Sequence, residues 1–296
     1  MRAKTVRMFP ITFQTTLKCM FRSPTFYMAV LLLSVVSIYE AIRGGYSYFS
    51  PVLMEMIEDT DPRFIVSRSL FLQNINNACC AEVMMYAMPL FTVISTAVIL
   101  GHNYSDRFYE IEKAGNVRSS TYLFGRLSAI LAVNLVAVIV ACIVNHLLYI
   151  FTRGGVDGMS TMQIIFESTW RILRWVAVML LPGILFYMSF TYVIGTVLKS
   201  GVAGAVGGMA HIVFYYVVNL ILRHRIAPVY FDYLSPIPRK LRHYLYAFEQ
   251  EAMPVEQNLI QRDTSLGKAL ICLGVLVGVS VIYVGISYWR QRRRVA

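Results

Sequence analysis

Residues 106–126 read DRFYEIEKAGNVRSSTYLFGR and join two apolar runs, Val83–His102 and Tyr122–Phe151. The segment holds seven charged residues, whereas the run before it holds none. Each run is long enough to cross a hydrocarbon core of roughly 30 Å, which takes about 20 helical residues. The charged segment is therefore expected in water, at a membrane surface, between two transmembrane helices.

The rest of the chain repeats this pattern of apolar runs. Of its 296 residues, 57% are hydrophobic and only 15% are charged, which is unusual for a soluble domain. Six runs are predicted to be membrane spans: Thr25–Ile42, Val83–His102, Tyr122–Phe151, Ile172–Leu198, Gly201–Leu222 and Lys268–Trp289. The predicted fold class is an all-α polytopic membrane protein, with residues 1–296 forming a single transmembrane domain.

The distribution of basic residues predicts the orientation of the chain. Six spans place both termini on one side, together with the loop 103–121. That side carries 14 of the 27 Lys and Arg residues within its shorter loops and tails, and the C-terminal WRQRRRVA directly adjoins a span. By the positive-inside rule, both termini are predicted to be cytoplasmic, in a multi-pass protein of the cell membrane. We expect the basic residues to face the lipid bilayer rather than nucleic acid, because no basic soluble domain is apparent.

Two further segments outside the spans have distinctive compositions. Residues 1–23 are predicted to be a cytoplasmic tail and a helix lying in the membrane interface, because apolar side chains recur between bases at helical spacing. Those side chains are Phe9, Ile11, Phe13, Leu17, Met20 and Phe21, with Lys18 and Arg22. Residues 223–267, which are rich in proline and aromatic residues, are predicted to form a long extracytoplasmic loop.

Polar groups inside the spans are the places to look for chemistry, because each is costly in hydrocarbon. Candidates for intramembrane polar contacts are Asn134, Asn145, His146, His211 and Asn219, while Glu40 and Arg174 lie nearer the span ends. They match no H-E-x-x-H, G-x-S-x-G or paired-carboxylate motif. The five cysteines are scattered and form no C-x-x-C pair. No catalytic, cofactor-binding or metal-binding residues are predicted, and the chain is not expected to be an enzyme.

Glycines in spans five and six predict close helix packing. Span five begins GVAGAVGGMA, and span six holds Gly274 and Gly278 in a G-x-x-x-G frame, followed by Gly285. Both packing within one chain and contact with a second chain remain open from these residues.

Within the loop 103–121, Phe108 and Ile111 would share one face of a short helix that ends at Gly115-Asn116. A helix of about ten residues is marginal alone in water. It would be most stable in a groove of a soluble partner. A solvated charged linker is the alternative.

In its order of elements, the chain resembles the ABC-2-type permeases, the membrane subunits of a class of ABC transporters. The resemblance rests on the interfacial helix, the six spans, the acidic segment after span two and the long outer loop. Three motif segments accompany it: Glu110–Gly115, Val117–Ser120 and Gly125-Arg126. The chain departs from the family pattern in having Ala114-Gly115 and in having Arg126 where Lys is common.

The resemblance implies that the loop is a coupling helix docked in a separate ATPase subunit. Its implied contact residues are Asp106, Phe108, Glu110, Glu112 and Arg118. The chain has no G-x-x-x-x-G-K-[ST] motif, so ATP and Mg²⁺ would bind to the ATPase. Two permease chains, identical or different, would complete an exporter of a hydrophobic or amphipathic substrate. The alternatives are a non-transporting scaffold or sensor that docks another soluble protein and, less favoured, an embedded enzyme using His146 or His211.

Overall fold

A computed structural model of the chain describes residues 2–48, 83–105, 119–153, 176–222 and 266–295, with a few positions between 162 and 174 and between 233 and 245. These residues are almost entirely helical and include no strand. The long α-helices are α1 (Arg2–Arg22), α2 (Pro24–Tyr48), α3 (Val83–Ser105), α4 (Ser119–Arg153), α5 (Leu181–Leu198), α6 (Gly201–Leu222) and α7 (Leu266–Val295).

The chain turns sharply between α1 and α2. The segments Phe9–Arg22 and Pro24–Val36 meet at 73° across Ser23. Pro24 favours this break because proline suits the first position of a new helix but restricts the residue before it. The Tyr27 hydroxyl donates to the carbonyl of Phe21 at 2.8 Å across the corner. The first helix therefore crosses the end of the next one, as a helix lying in the membrane interface would.

Three described helices meet the length and hydropathy requirements of a membrane span: Ser119–Asn145, Val176–Leu198 and Leu266–Arg293. The bent pair of α1 and α2 would make a fourth if it counts as one span. Two shorter apolar helices, Ala87–His102 and Gly201–Val217, coincide with predicted spans two and five. Several helices are thus able to cross a membrane, as in a multi-pass protein, while the number six stays a prediction.

Helices α3 and α5 form the centre of the bundle. They pack on each other, with α6 against both on one side and α4 against both on the other. Helix α2 packs on α3 and α4, and α7 packs on α5 and α4. In an 18-residue apolar stretch of Val176–Leu198, 67% of the residues are buried, whereas in the corresponding stretch of α7 only 22% are buried. The fourth predicted span is therefore interior and the sixth peripheral.

A π-helical turn, Val176–Leu180, leads into α5. Pro182 follows it within the first turn of α5. Proline has no N–H, and its ring clashes with the carbonyl four residues earlier, so the preceding turn cannot close regularly. The proline inside predicted span four thus coincides with a change of helix type rather than with the middle of a continuous α-helix.

Candidate functional site

One end of the bundle gathers the termini of several helices, and we call it the α1 end. Helix α3 ends there at Ser105 and α4 begins there at Ser119, so these helices bracket residues 106–118. Helix α1 lies on the start of α4, where a Cβ on Gly125 would be 3.0 Å from that of Thr12. The final turns of α7 lie at the same end, because Gln291 reaches Tyr192 of α5. Helix α1 and the basic C-terminal turns of α7 therefore share an end with the attachment points of the charged segment.

The five residues predicted to contact an ATPase belong to this charged segment. Asp106, Phe108, Glu110, Glu112 and Arg118 all lie outside the described residues. Their helical conformation and their docking role therefore stay predictions.

Arg126 is buried just inside α4, with 4% of its surface exposed. Its Cζ lies 4.0 Å from the centre of the Tyr122 ring, one helical turn earlier. A guanidinium over an aromatic face gains about 0.5–2 kcal/mol. The neighbouring Gly125 lets α1 approach this point closely, so Arg126 lies beneath the helix that caps this end. Sequence reasoning counted Arg126 among the basic residues of the cytoplasmic side and noted Gly125-Arg126 as a family motif, but it did not predict that this side chain is buried.

A two-residue turn joins α5 to α6 at the α1 end. Lys199 adopts a left-handed conformation, with φ of 56°, and ends α5. Ser200 then caps α6, because its hydroxyl accepts a hydrogen bond from the Ala203 N–H at 3.2 Å. This tight turn brings the N-terminus of α6 against α3 and leaves the Lys199 side chain exposed.

Asn134 joins the two helices that bracket the charged segment. Its amide nitrogen donates to the Ser95 hydroxyl at 3.0 Å and to the Ile130 carbonyl at 2.8 Å. Both Asn134 and Ser95 are fully buried. Interhelical hydrogen bonds of this kind contribute about 0.6–2 kcal/mol in a membrane. The contact ties α3 to α4 near the middle of the bundle.

Three other predicted polar residues lie farther along α4 and α6. Asn145 is fully buried, and neither its amide oxygen nor its amide nitrogen has a hydrogen-bond partner within the described part of the chain. His146 lies on α4 and Asn219 on α6, and their side chains fall outside the description. The described contacts do not bring any of these three to Asn134.

His211 packs among aromatic rings from α5. Its ring centre is 5.0 Å from that of Phe190, 5.3 Å from Phe186 and 5.7 Å from Tyr187. Tyr283 of α7 joins the cluster through Phe190, at 5.6 Å. The histidine thus lies at the junction of α5, α6 and α7, where it makes tilted and edge-on contacts with aromatic rings. Sequence reasoning noted the histidine but not the aromatic cluster around it.

Among the described residues, no three His, Cys, Asp or Glu side chains lie close enough together to hold a metal ion. The described cysteines, Cys19, Cys142 and Cys272, form no disulfide bond. No protein-family model and no curated protein matches the sequence. The described site is therefore a structural arrangement: two hydrogen-bonded helices that bracket a charged segment, beneath a crossing helix.

Proposed function

We propose that this chain is the permease subunit of an ABC transporter, in which a separate ATPase subunit docks on the charged segment 106–118. The proposal combines the resemblance to ABC-2-type permeases with the contacts of α3 and α4. It makes the chain one of two membrane subunits of an exporter, and it places ATP hydrolysis on the partner.

The observation that carries this proposal is the number of helices that α3 and α4, the two helices bracketing the charged segment, contact. Helix α3 packs on α1, α2, α4, α5 and α6, and α4 packs on α1, α2, α3, α5 and α7. Between them they contact every other long helix described. A displacement applied at the charged segment therefore has direct packing contacts through which to move the whole bundle.

The buried contacts between α3 and α4 support their motion as one unit. The Asn134–Ser95 hydrogen bond joins them at mid-depth. Near the α1 end, Leu100 of α3 and Leu123 of α4 are fully buried in one apolar cluster. Densely packed helices switch between discrete arrangements rather than bending continuously. ATP drives such a switch only when its binding favours one arrangement over the other.

The chemistry of the bundle interior supports a hydrophobic or amphipathic cargo. Among the buried polar side chains described, hydroxyl and amide groups predominate and Arg126 carries the one formal charge. The aromatic cluster around His211 adds ring faces at the junction of three helices. Such surroundings favour apolar surface with a few hydrogen-bonding groups and disfavour anions and dications.

The direct experiment pairs the chain with the ATPase encoded beside it and measures ATP hydrolysis in proteoliposomes. We expect the chain to co-purify with that ATPase and to stimulate its activity several-fold. Reversing two charges in the segment, Glu110→Lys with Glu112→Lys, should abolish the stimulation and the co-purification while leaving the membrane content of the chain unchanged.

The matched control reverses two glutamates of the predicted outer loop, Glu249→Lys with Glu251→Lys. It removes the same number of carboxylates and should leave ATPase stimulation intact. If the Glu110/Glu112 double variant stimulated the ATPase as strongly as this control does, the docking role of the segment would be disproved. Capture of a different soluble protein through Glu110 and Glu112, with no ATPase bound, would replace the transporter with the scaffold or sensor function.

A further inference from the structure

The C-terminal turns of α7 continue beyond the apolar span and are held against the bundle on one side. Ser287 and Gln291 are four residues apart and therefore share a face. Both are buried, with 0% and 5% of their surfaces exposed. The Gln291 amide donates to the Tyr192 hydroxyl at 3.2 Å. This anchoring orients the opposite face of the helix outwards.

That outward face combines a tryptophan with arginines. Half of the Trp289 surface is exposed. The Cζ atom of Arg293 lies 3.9 Å from the centre of its ring, and Arg292 is exposed beside it. Tryptophan favours the depth of the lipid headgroups, where one part of the ring system is apolar and its N–H can donate. A guanidinium held over such a ring is placed to reach lipid phosphate groups when the ring lies at that depth.

Helix α1 presents a similar combination at the same end of the bundle. One of its rows, Thr12, Thr16 and Met20, is buried against the protein. A second row has Phe9 and Phe21 exposed at its two ends. The third row, Gln14, Lys18 and Arg22, is exposed and polar. An apolar row beside a basic row is the pattern of a helix that lies in the membrane interface.

The charges at the α1 end favour an anionic partner. Exposed basic side chains come from three elements: Lys18 and Arg22 of α1, Lys199 of the α5–α6 turn, and Arg292 and Arg293 of α7. No carboxylate side chain is among those the structure describes at this end. Each Lys or Arg near an anionic leaflet contributes about 1 kcal/mol of attraction.

We infer that the Trp289–Arg293 face of α7, together with the basic row of α1, binds the headgroups of anionic phospholipids. The guanidiniums of Arg292 and Arg293 donate hydrogen bonds to the phosphodiester oxygens, and the ring of Trp289 packs on the glycerol and upper acyl region. This lipid site does not depend on the proposed transport function, because it requires only the chain and a bilayer.

Trp289 supplies a built-in probe of this site. The chain has three tryptophans, and Trp170→Phe with Trp175→Phe leaves Trp289 as the sole emitter. The full chain is reconstituted into phosphatidylcholine nanodiscs that hold brominated phosphatidylglycerol or brominated phosphatidylcholine at equal mole fraction. We expect the anionic lipid to quench Trp289 with an apparent association constant at least about five times higher.

Two charge-neutralising variants test the assignment on this background. Arg292→Gln with Arg293→Gln should lower the ratio of association constants several-fold, leaving only the share that Lys18 and Arg22 of α1 contribute. The matched control is Arg174→Gln with Lys268→Gln, which removes one base before α5 and one in the first turn of α7. Both lie at the opposite end of the bundle, so the ratio should stay unchanged. Inorganic phosphate added to the buffer should not relieve the quenching, because the site takes the headgroup of a membrane lipid.

Native mass spectrometry measures lipid binding independently of the fluorescence probe. It compares the chain with all three tryptophans and its Arg292→Gln, Arg293→Gln variant. We expect more phosphatidylglycerol than phosphatidylcholine to stay bound to the unaltered chain. Equal quenching by the two lipids in the starting protein would overturn the inference. So would a preference that is undiminished by the loss of both arginines, or quenching that is relieved by free phosphate. None of these three results would bear on ATPase docking.

Discussion

Helices α6 and α7 are both rich in glycine, but only the glycines of α6 pack against neighbouring helices. On α6, a Cβ at Gly201 would meet the backbone of Gly101 and Ala97, and one at Gly208 would lie 2.6 Å from a methyl group of Val93. On α7, positions Gly274, Gly278 and Gly285 have nothing within 4 Å of such an atom. Neighbouring helices of the same chain occupy the space beside the α6 glycines, whereas the α7 glycines face away from the described helices.

The difference shows why a small-residue pattern cannot identify its own partner. Glycine allows helices to approach closely, but the approach occurs only where another helix lies opposite. Helix α6 packs against both α3 and α5, while α7 packs mainly on α5. The glycines of α7 face outwards. For α6 the close packing lies within one chain, and for α7 the described residues of this chain do not supply the contact.

The largest effect is expected at Gly201. In Gly201→Ala the new methyl group would lie 2.6 Å from Cα of Gly101 and 2.8 Å from the carbonyl oxygen of Ala97. Backbone cannot rotate away as a side chain can, so α3 and α6 must separate. We expect a loss of about 3 kcal/mol, measured as a lowered midpoint of thermal unfolding in detergent. Gly278→Ala is the matched control, and an equal midpoint in both variants would refute the close approach of α3 and α6.

A smaller loss is expected at Gly208, because the groups around it are side chains. A Cβ there would meet two methyl groups of Val93 and the Thr191 hydroxyl, at 2.6 to 2.7 Å. We expect Gly208→Ala to lose about 1–2 kcal/mol. Adding Val93→Ala should recover part of that loss, so the double variant should be more stable than the sum of the two single changes predicts. Strict additivity would show that the methyl group of the new alanine does not meet Val93.

The smallest effect is expected at Gly278 of α7. Because no atom lies within 4 Å of the Cβ position, Gly278→Ala should leave the single chain unchanged or stabilise it by up to about 1 kcal/mol through its better helix propensity. Thermal unfolding and the mass of the detergent-solubilised protein check this together. A lower stability accompanied by loss of a dimer would instead place a second chain on this face of α7.

Several helices could be predicted closely from their residues. The predicted span Gly201–Leu222 has the same bounds as α6, because the Lys199-Ser200 break combines a left-handed residue with a serine cap. The start of α3 at Val83 also agrees with the prediction. The ends of α4 and α7 lie beyond the predicted spans because a helix continues past its apolar residues wherever its backbone stays hydrogen-bonded.

The contacts inside the bundle could not be predicted in the same way. Asn134 was recognisable as a costly polar group, but Ser95, its partner on α3, carries no signal of its own. The ring cluster around His211 combines residues of α5, the preceding helix, with Tyr283 of α7, which is far from it in the chain. The bracketing role of α3 and α4 follows from their order, whereas their contacts with all the other helices require knowledge of how the bundle is assembled.

Residue composition and order by themselves determined that the chain is helical, that several helices can enter a membrane, and that a charged segment separates two of them. These properties are local, because hydrocarbon demands internal hydrogen bonding and about 20 apolar residues from each span. Only the tertiary structure decided which helix is central and which glycines pack against another helix. It also decided that Arg126 is buried beneath α1 while Trp289 and Arg293 face outwards. Those outcomes depend on which faces meet, and helices in lipid choose neighbours by shape and a few polar contacts rather than by hydrophobicity.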